Sequence, residues 1–114
     1  MTHEMRLDSK EYRKITHGKK TIELRLLDEK REKVQIGDKI TFTNNETKET
    51  ITVQVVALHV FPSFKELYET LDKVAIGYRE DATADYRDME EYYSVPEQQK
   101  HGVIGIEFKK EYHD

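Results

Sequence analysis

The segment 18–25 concentrates polar side chains that could bind or convert a ligand. Alternation along an extended chain places Thr21, Glu23 and Arg25 on one strand face. A carboxylate accepts hydrogen bonds from amino groups, and a guanidinium clamps a phosphate or a carbonyl oxygen. Such a row could orient a bound base or acyl group. In a regular strand Lys20 would point to the face opposite that of Glu23. Lys20 therefore joins the row only if it lies in the turn before the strand begins.

The alternative is a solvated strand face with ordinary cross-strand ion pairs. If the face binds a ligand, Lys20→Ala and Glu23→Ala should each abolish binding or turnover. Both variants should leave the fold nearly intact, because exposed ion pairs contribute under about 1 kcal/mol to the free energy of unfolding.

A neighbouring carboxylate keeps a lysine charged. Should a reaction occur, we therefore expect Lys20 to stabilise charge and Glu23 to act as the general acid or base.

The segment Tyr92-Tyr93-Ser94 is a second candidate for ligand contacts. A tyrosine ring can stack on a base, and a serine hydroxyl can bind or attack a substrate. We select Tyr93 and Ser94 as candidate binding residues. Ser94-x-x-Glu97 also has the form of a helix cap, and capping is the favoured role for Ser94.

The five histidines show no metal-ligand spacing and there is no cysteine, so we expect neither a metal nor a cofactor.

Helix caps and periodicity predict the elements that position these residues. Asp8-x-x-Glu11 followed by Gly18 predicts a helix over 9–17, and alternation predicts a half-buried strand over 21–26. The other patterns predict a charged turn or short helix at 28–33, strands at 40–42, 50–61 and 103–108, and helices over 64–71 and from Ser94 to Gly102.

Together these elements predict an α+β domain with an antiparallel sheet, either open or curled into a barrel. Residues 66–93 carry nine acidic and three basic side chains. We therefore expect this segment to be a surface excursion of short helices rather than a second core.

Composition limits the class of protein. The 114 residues suit one domain, 1–114, and 37% of them are charged. The net charge of −4 argues against a protein that binds nucleic acid non-specifically along its length. Residues 1–39 carry 11 basic and 8 acidic groups, so a local basic surface is possible. With no cysteine and no long apolar run, we expect a soluble cytoplasmic protein without a membrane span. The oligomeric state stays open.

Four sequence blocks, taken in order over residues 6–109, resemble one family. They are Ile15-x-x-Gly18-x-Lys20-Thr21-x-Glu23-x-Arg25, Gly37-Asp38-x-Ile40-x-Phe42, Tyr92-Tyr93-Ser94 and Gly102-Val103-Ile104-Gly105-Ile106. The first block is similar to the Gly-x-Lys-x-x-x-x-Arg core of the ASCH family, which is named for the activating signal cointegrator homology domain and is related to PUA RNA-binding modules. The resemblance implies a PUA-like β-barrel with short helices packed around it and a cleft at Lys20, Glu23 and Arg25.

The resemblance also implies a function related to RNA. The leading hypothesis is a module that captures a single-stranded or flipped nucleotide, with Lys20 and Arg25 on phosphate, Glu23 on a base edge and Tyr93 stacking. The competing hypothesis is a small hydrolase that acts on a modified nucleoside or on RNA. A third possibility is a small-molecule sensor or partner-binding domain without nucleic acid.

Two branches of the family bear on the hydrolase hypothesis. An amidohydrolase branch acting on acetylated cytidine resembles the chain at Lys20, but it has a threonine where this sequence has Glu23. Because that departure removes the nucleophile, the activity is not carried over. A ribonuclease-like branch combines a lysine with a tyrosine and a serine, which Lys20, Tyr93 and Ser94 resemble only loosely in spacing.

Overall fold

A curled five-stranded sheet is the centre of the structure, a computed structural model that describes residues 1–111. The strand order is β1-β3-β4-β5-β2. Short helices lie around this half-barrel, and the mixed α+β class agrees with the prediction. The elements are β1 (Thr2–Leu7), α1 (Ser9–Thr16), β2 (Ile22–Leu26), α2 (Glu29–Glu32), β3 (Lys39–Asn44), β4 (Thr50–Phe61), α3 (Phe64–Thr70), a 3₁₀ helix (Tyr86–Glu91), α4 (Val95–His101) and β5 (Val103–Lys110).

Helix caps and strand alternation account for most of these boundaries. The carboxylate of Asp8 accepts a hydrogen bond from the backbone N–H of Glu11 at 2.8 Å and begins α1 where the sequence predicts. Ser63 begins α3 in the same way. Strand β4 has the predicted bounds. Within residues 1–111, no helix is both long and apolar enough to cross a bilayer.

Strand β1 is absent from the sequence-based prediction, although its burial alternates. His3, Met5 and Leu7 are buried and the residues between them are exposed. The strand pairs with β3 in parallel, whereas the other pairings are antiparallel. The predicted antiparallel sheet is thus confirmed for three of the four pairings, and the pairing of β1 with β3 departs from it. A parallel neighbour leaves no local turn signal, because the connection between the two strands passes through α1, β2 and α2.

The two outer edges of the sheet, on β1 and β2, face each other across a gap that we call the seam. Side chains rather than a strand ladder span this gap. Arg25 Nη2 donates to the backbone carbonyl of Arg6 at 2.9 Å, and Lys30 Nζ donates to that of Glu4 at 2.7 Å. Both carbonyls belong to the edge of β1 that does not face β3, so the half-barrel is closed at the seam by cationic side chains.

The interior contains two hydrophobic clusters. The first lies between the sheet and α1, and includes Ile15, Ile40 and Phe42, all completely buried. The second joins β2 and β5 to α3 and to the loop after it, and includes Phe64 and Ile76. The expectation that residues 66–93 add no second core was wrong, because their few apolar side chains are concentrated at positions that reach the sheet.

Candidate ligand-binding pocket

A cavity of about 350 Å³, which we call the pocket, lies where α1 and β2 meet the segment that follows α3. Four of the six candidates selected from the sequence line it: Lys20, Glu23, Arg25 and Tyr93. Thr21 and Ser94 are not among its lining residues. The other lining residues are Arg6, Leu7, Asp8, Lys10, Glu11, Lys14, Leu24, Asn45, Tyr68, Ile76, Tyr78, Asp88, Met89, Glu91 and Tyr92.

Lys20 lies in the turn before β2 and is only 4% exposed. Its Nζ donates to Glu23 Oε1 at 2.7 Å and to Glu11 Oε1 at 3.0 Å. The stem of the side chain passes Gly77, where an added Cβ would lie 3.2 Å from Lys20 Cδ and where φ is +115°. Glycine at this position therefore leaves room for the lysine.

Glu23 connects Lys20 to Arg25. Its second oxygen, Oε2, accepts from Arg25 Nε at 2.7 Å, and Glu23 is 4% exposed. The four side chains Glu11, Lys20, Glu23 and Arg25 thus alternate in charge along a continuous chain of hydrogen bonds, which we call the charge row. The burial of Lys20 and Glu23 excludes the alternative of a solvated strand face.

The charge row is fully ionised at neutral pH. Burial alone lowers the pKa of Lys20, but the carboxylates of Glu23 and Glu11 outweigh it and hold that pKa above its ordinary value. Burial raises the pKa of Glu23, yet Lys20 and Arg25 hold it below its ordinary value. The pKa of Arg25 is raised by Glu23 despite burial. This arrangement does not favour Glu23 as a general acid, because its carboxylate stays deprotonated.

Glu11 is a site residue that the sequence pattern assigns to another role. The pattern predicts that its carboxylate reaches back to Asp8, but the carboxylate instead bonds Lys20 and accepts from Lys14 Nζ at 2.8 Å. Burial raises the pKa of Glu11, and the two lysines hold it below its ordinary value. No periodicity links residues nine positions apart, so no local signal indicates the contact between Glu11 and Lys20.

Tyrosines form the opposite wall of the pocket. Tyr93 is stacked on Phe64, with ring centroids 6.0 Å apart and an interplanar angle of 20°. Tyr92 is 51% exposed, so its ring is the more accessible of the two. Burial raises the pKa of Tyr92 to about 12, which keeps its phenol neutral. Tyr78 donates to Asp88 Oδ2 at 2.6 Å and so holds the 3₁₀ helix that directly precedes Tyr92 and Tyr93.

The structure places Thr21 and Ser94 outside this constellation. Thr21 is exposed, and its backbone N–H donates to the Ala75 carbonyl at 2.9 Å. Ser94 caps α4: its hydroxyl accepts from the backbone N–H of Glu97 at 3.3 Å and donates to the Glu97 carboxylate at 3.0 Å. The first contact is that of an N-cap, but the Glu97 carboxylate accepts from the Ser94 hydroxyl and not, as in a capping box, from its backbone N–H.

Ser94→Ala should therefore lower the free energy of unfolding by about 0.5–2 kcal/mol, because α4 loses its N-cap. Ligand binding or turnover should persist. Chemical denaturation of the variant beside the wild-type protein measures the loss. Wild-type stability combined with complete loss of activity would show instead that Ser94 acts on a ligand.

Residues 1–111 contain no group of three or more His, Asp or Glu side chains placed to hold a metal ion. The chemistry available in the pocket is that of ionised donors and acceptors beside aromatic rings. It suits recognition of a flat, polar ligand.

Solved structures share this architecture. The hypothetical protein PH0355 is 30% identical, with a TM-score of 0.81 over 97% of this chain and 100% of that chain. Protein PF0455 from Pyrococcus furiosus is 29% identical, with a TM-score of 0.66 over 99% of this chain and 100% of that chain. The ASCH protein from Zymomonas mobilis is 16% identical, with a TM-score of 0.65 over 96% of this chain and 67% of that chain, and shows likeness of fold alone.

No curated protein matches the chain. The ASCH domain matches residues 5–111, almost the whole chain. The PUA-like α+β fold that the sequence blocks imply is confirmed. The chain belongs to the ASCH domain family.

Proposed function

We propose that the pocket binds one unpaired nucleotide or nucleoside of RNA, and that the protein is a binding module rather than a hydrolase. The observation that supports this proposal is the charge row, with Lys20 and Glu23 buried at its centre, which lines the same cavity as the exposed ring of Tyr92. Donors and acceptors beside an accessible aromatic ring are the features by which proteins recognise unstacked bases.

The size of the pocket favours a single base. Ligand pockets range over about 300–1,000 Å³, and a volume of about 350 Å³ is at the small end of that range. A base within a duplex cannot enter a concave site of this kind unless it leaves the stack. We therefore infer that the ligand is a single-stranded or flipped residue.

The charge row keeps hydrogen-bonding capacity for a ligand. Within residues 1–111, Lys20 Nζ uses two of its three donors, and each Glu23 oxygen accepts one hydrogen bond and has a second lone pair. Arg25 donates through Nε and Nη2 and has further N–H groups. A base edge presents donors and acceptors side by side, which matches a carboxylate flanked by two cations.

The electrostatics of the site favour binding over hydrolysis. A lysine attacks or abstracts a proton only in its neutral form, whereas the pKa of Lys20 is raised by its carboxylate neighbours although burial opposes this. The hydroxyl of Ser94 already makes the hydrogen bonds that cap α4.

We propose that this binding function is cytoplasmic, because the chain has no cysteine and the domain is related to RNA-binding folds.

The test is a titration of the ¹⁵N-labelled protein with standard and modified ribonucleosides, followed by amide shifts and by mass spectrometry of the mixture. We expect saturable shifts at Lys20, Glu23 and Tyr92, and an unchanged ligand mass. A hydrolysed product would support the hydrolase alternative. Shifts confined to residues away from the pocket, or no shifts with any member of the panel, would refute the proposed function.

A further inference from the structure

A second cavity, of about 470 Å³, is lined by Arg6 and Arg25, the two residues joined by the hydrogen bond across the seam; we call it the seam cavity. Its charged lining consists of four cations, Arg6, Arg25, Lys30 and Arg31, and one carboxylate, Glu4. Arg6 and Arg25 also line the pocket. The two cavities are therefore neighbours that share two guanidinium groups.

The positive charge of the seam cavity is only partly neutralised. Arg25 pairs with Glu23 and Arg31 with Asp28, but within residues 1–111 neither Arg6 nor Lys30 has a carboxylate within ion-pair distance. Lys30 Nζ and Arg25 Nη2 donate to backbone carbonyls, which carry no net charge. Burial, followed by the charges of Arg31 and Arg25, lowers the pKa of Lys30, as expected where cations outnumber anions.

Arg31 adds a donor without a hydrogen-bond partner among residues 1–111. Its Nε is buried and makes no hydrogen bond within the part of the chain that the structure describes. The side chain is held in place by Nη1, which donates to Asp28 Oδ2 at 3.0 Å. A buried, unsatisfied N–H is costly, and here it belongs to a side chain that lines the seam cavity.

The other two cavities lined by residues of the charge row are closer to neutral. The pocket itself has five basic and five acidic lining residues. The cavity beside Gly77 has four cations, but Lys19 pairs with Glu80 at 3.8 Å and Arg79 pairs with Asp81 at 3.2 Å. Of these three cavities, the seam cavity therefore has the largest excess of positive charge.

We infer that the seam cavity is a phosphate subsite, and that the ligand of the pocket is a nucleotide residue whose phosphate contacts Lys30, Arg31 and Arg6. This inference rests on the proposed function and narrows it, because a free nucleoside would leave the subsite empty. Arginine and lysine at close spacing are the usual ligands of phosphate oxygens. The phosphate could be attached at the 3′ or the 5′ oxygen of the ribose.

The test compares the four ribonucleosides with their 5′- and 3′-monophosphates by calorimetry, at about 50 mM and about 500 mM salt. One monophosphate series should bind about tenfold more tightly than its nucleosides at low salt, and this difference in affinity should shrink at high salt.

The double variant Lys30→Gln with Arg31→Gln should remove the difference between monophosphate and nucleoside and leave nucleoside affinity unchanged. If the double variant is unstable, the single variant Lys30→Gln takes its place. Lys33→Gln, next to the same helix but outside the seam cavity, is the matched control.

Inorganic phosphate provides an independent readout through the Nε–Hε resonances of Arg6 and Arg31. Saturable shifts that disappear in Lys30→Gln and persist in Lys33→Gln would support the subsite even if no nucleoside binds, in which case the proposed function alone fails. Equal affinity for nucleosides and both monophosphate series, with no phosphate-induced shift at the seam, would overturn the inference and leave the proposed function in place.

Discussion

Glu23→Ala should lower the free energy of unfolding by about 3–5 kcal/mol, because it removes the buried carboxylate that is shared by the buried Lys20 and the partly buried Arg25. Glu23 bonds Lys20 and Arg25 at 2.7 Å each. Without it, Lys20 keeps its hydrogen bond to Glu11, and Arg25 keeps its hydrogen bond to the Arg6 carbonyl. Denaturant unfolding followed by circular dichroism measures the loss.

This expectation replaces the one drawn from the sequence, that Glu23→Ala and Lys20→Ala leave the fold nearly intact. That argument treated both side chains as exposed, whereas each is 4% exposed. Glu80→Ala is the matched control, since Glu80 forms an exposed ion pair with Lys19, and its stability should be close to wild type. If Glu23→Ala proved equally harmless, the charge row would be solvated after all.

The same variant changes the pH dependence of stability. The pKa of Glu23 in the folded protein lies below its ordinary value of 4.5 because Lys20 and Arg25 outweigh the effect of burial. Its contribution is therefore present above pH 4.5 and is lost as the pH falls through the folded value. The raised pKa of Lys20 gives a contribution that is present below pH 10.5 and is lost as the pH rises through the folded value. Glu23→Ala should flatten the acid limb of the profile.

Tyr92→Ala should weaken binding of a nucleoside by about 5- to 150-fold, since stacking of a base on an aromatic ring contributes about 1–3 kcal/mol. The ring lines the pocket and is 51% exposed. Its removal should therefore change the midpoint of thermal unfolding little. Calorimetric titration with the nucleoside that shifts the pocket amides, beside a thermal melt, separates the two effects.

Two other tyrosines make the comparison specific. Tyr86→Ala removes a partly exposed ring from the 3₁₀ helix that does not line the pocket, and should not change affinity. Tyr93→Ala should destabilise the protein, because this ring is stacked on Phe64 within the second hydrophobic cluster. If Tyr92→Ala bound the nucleoside as tightly as wild type, the stacking role would have to be abandoned.

Local signals in the sequence predict most of the elements correctly. The caps at Asp8 and Ser63 and the long alternation of β4 depend on neighbouring residues, so they can be recognised without the fold. Strand β1 alternates as well, but its partner β3 lies more than thirty positions along the chain. Its parallel pairing therefore could not be predicted from the sequence.

In the candidate site too, features that depend on neighbouring residues could be predicted, and contacts between distant residues could not. The types and spacing of Lys20, Glu23 and Arg25 indicate a polar cluster, and these three residues lie together at the pocket. The burial of Lys20 and Glu23 could not be predicted, because charged residues are seldom buried unless they are paired, as these two are. The part played by Glu11 depends on how α1 packs beside β2, which sequence spacing does not reveal.

The seam also affects how the protein behaves toward other chains. A half-barrel that ends in two free strand edges offers unpaired backbone groups to any extended chain, which is a route to aggregation. Here the outward carbonyls of Glu4 and Arg6 are already hydrogen-bonded to Lys30 and Arg25. An incoming strand would have to displace two cationic side chains before it could add to β1. The side chains that close the half-barrel thus also protect its edge from edge-to-edge association.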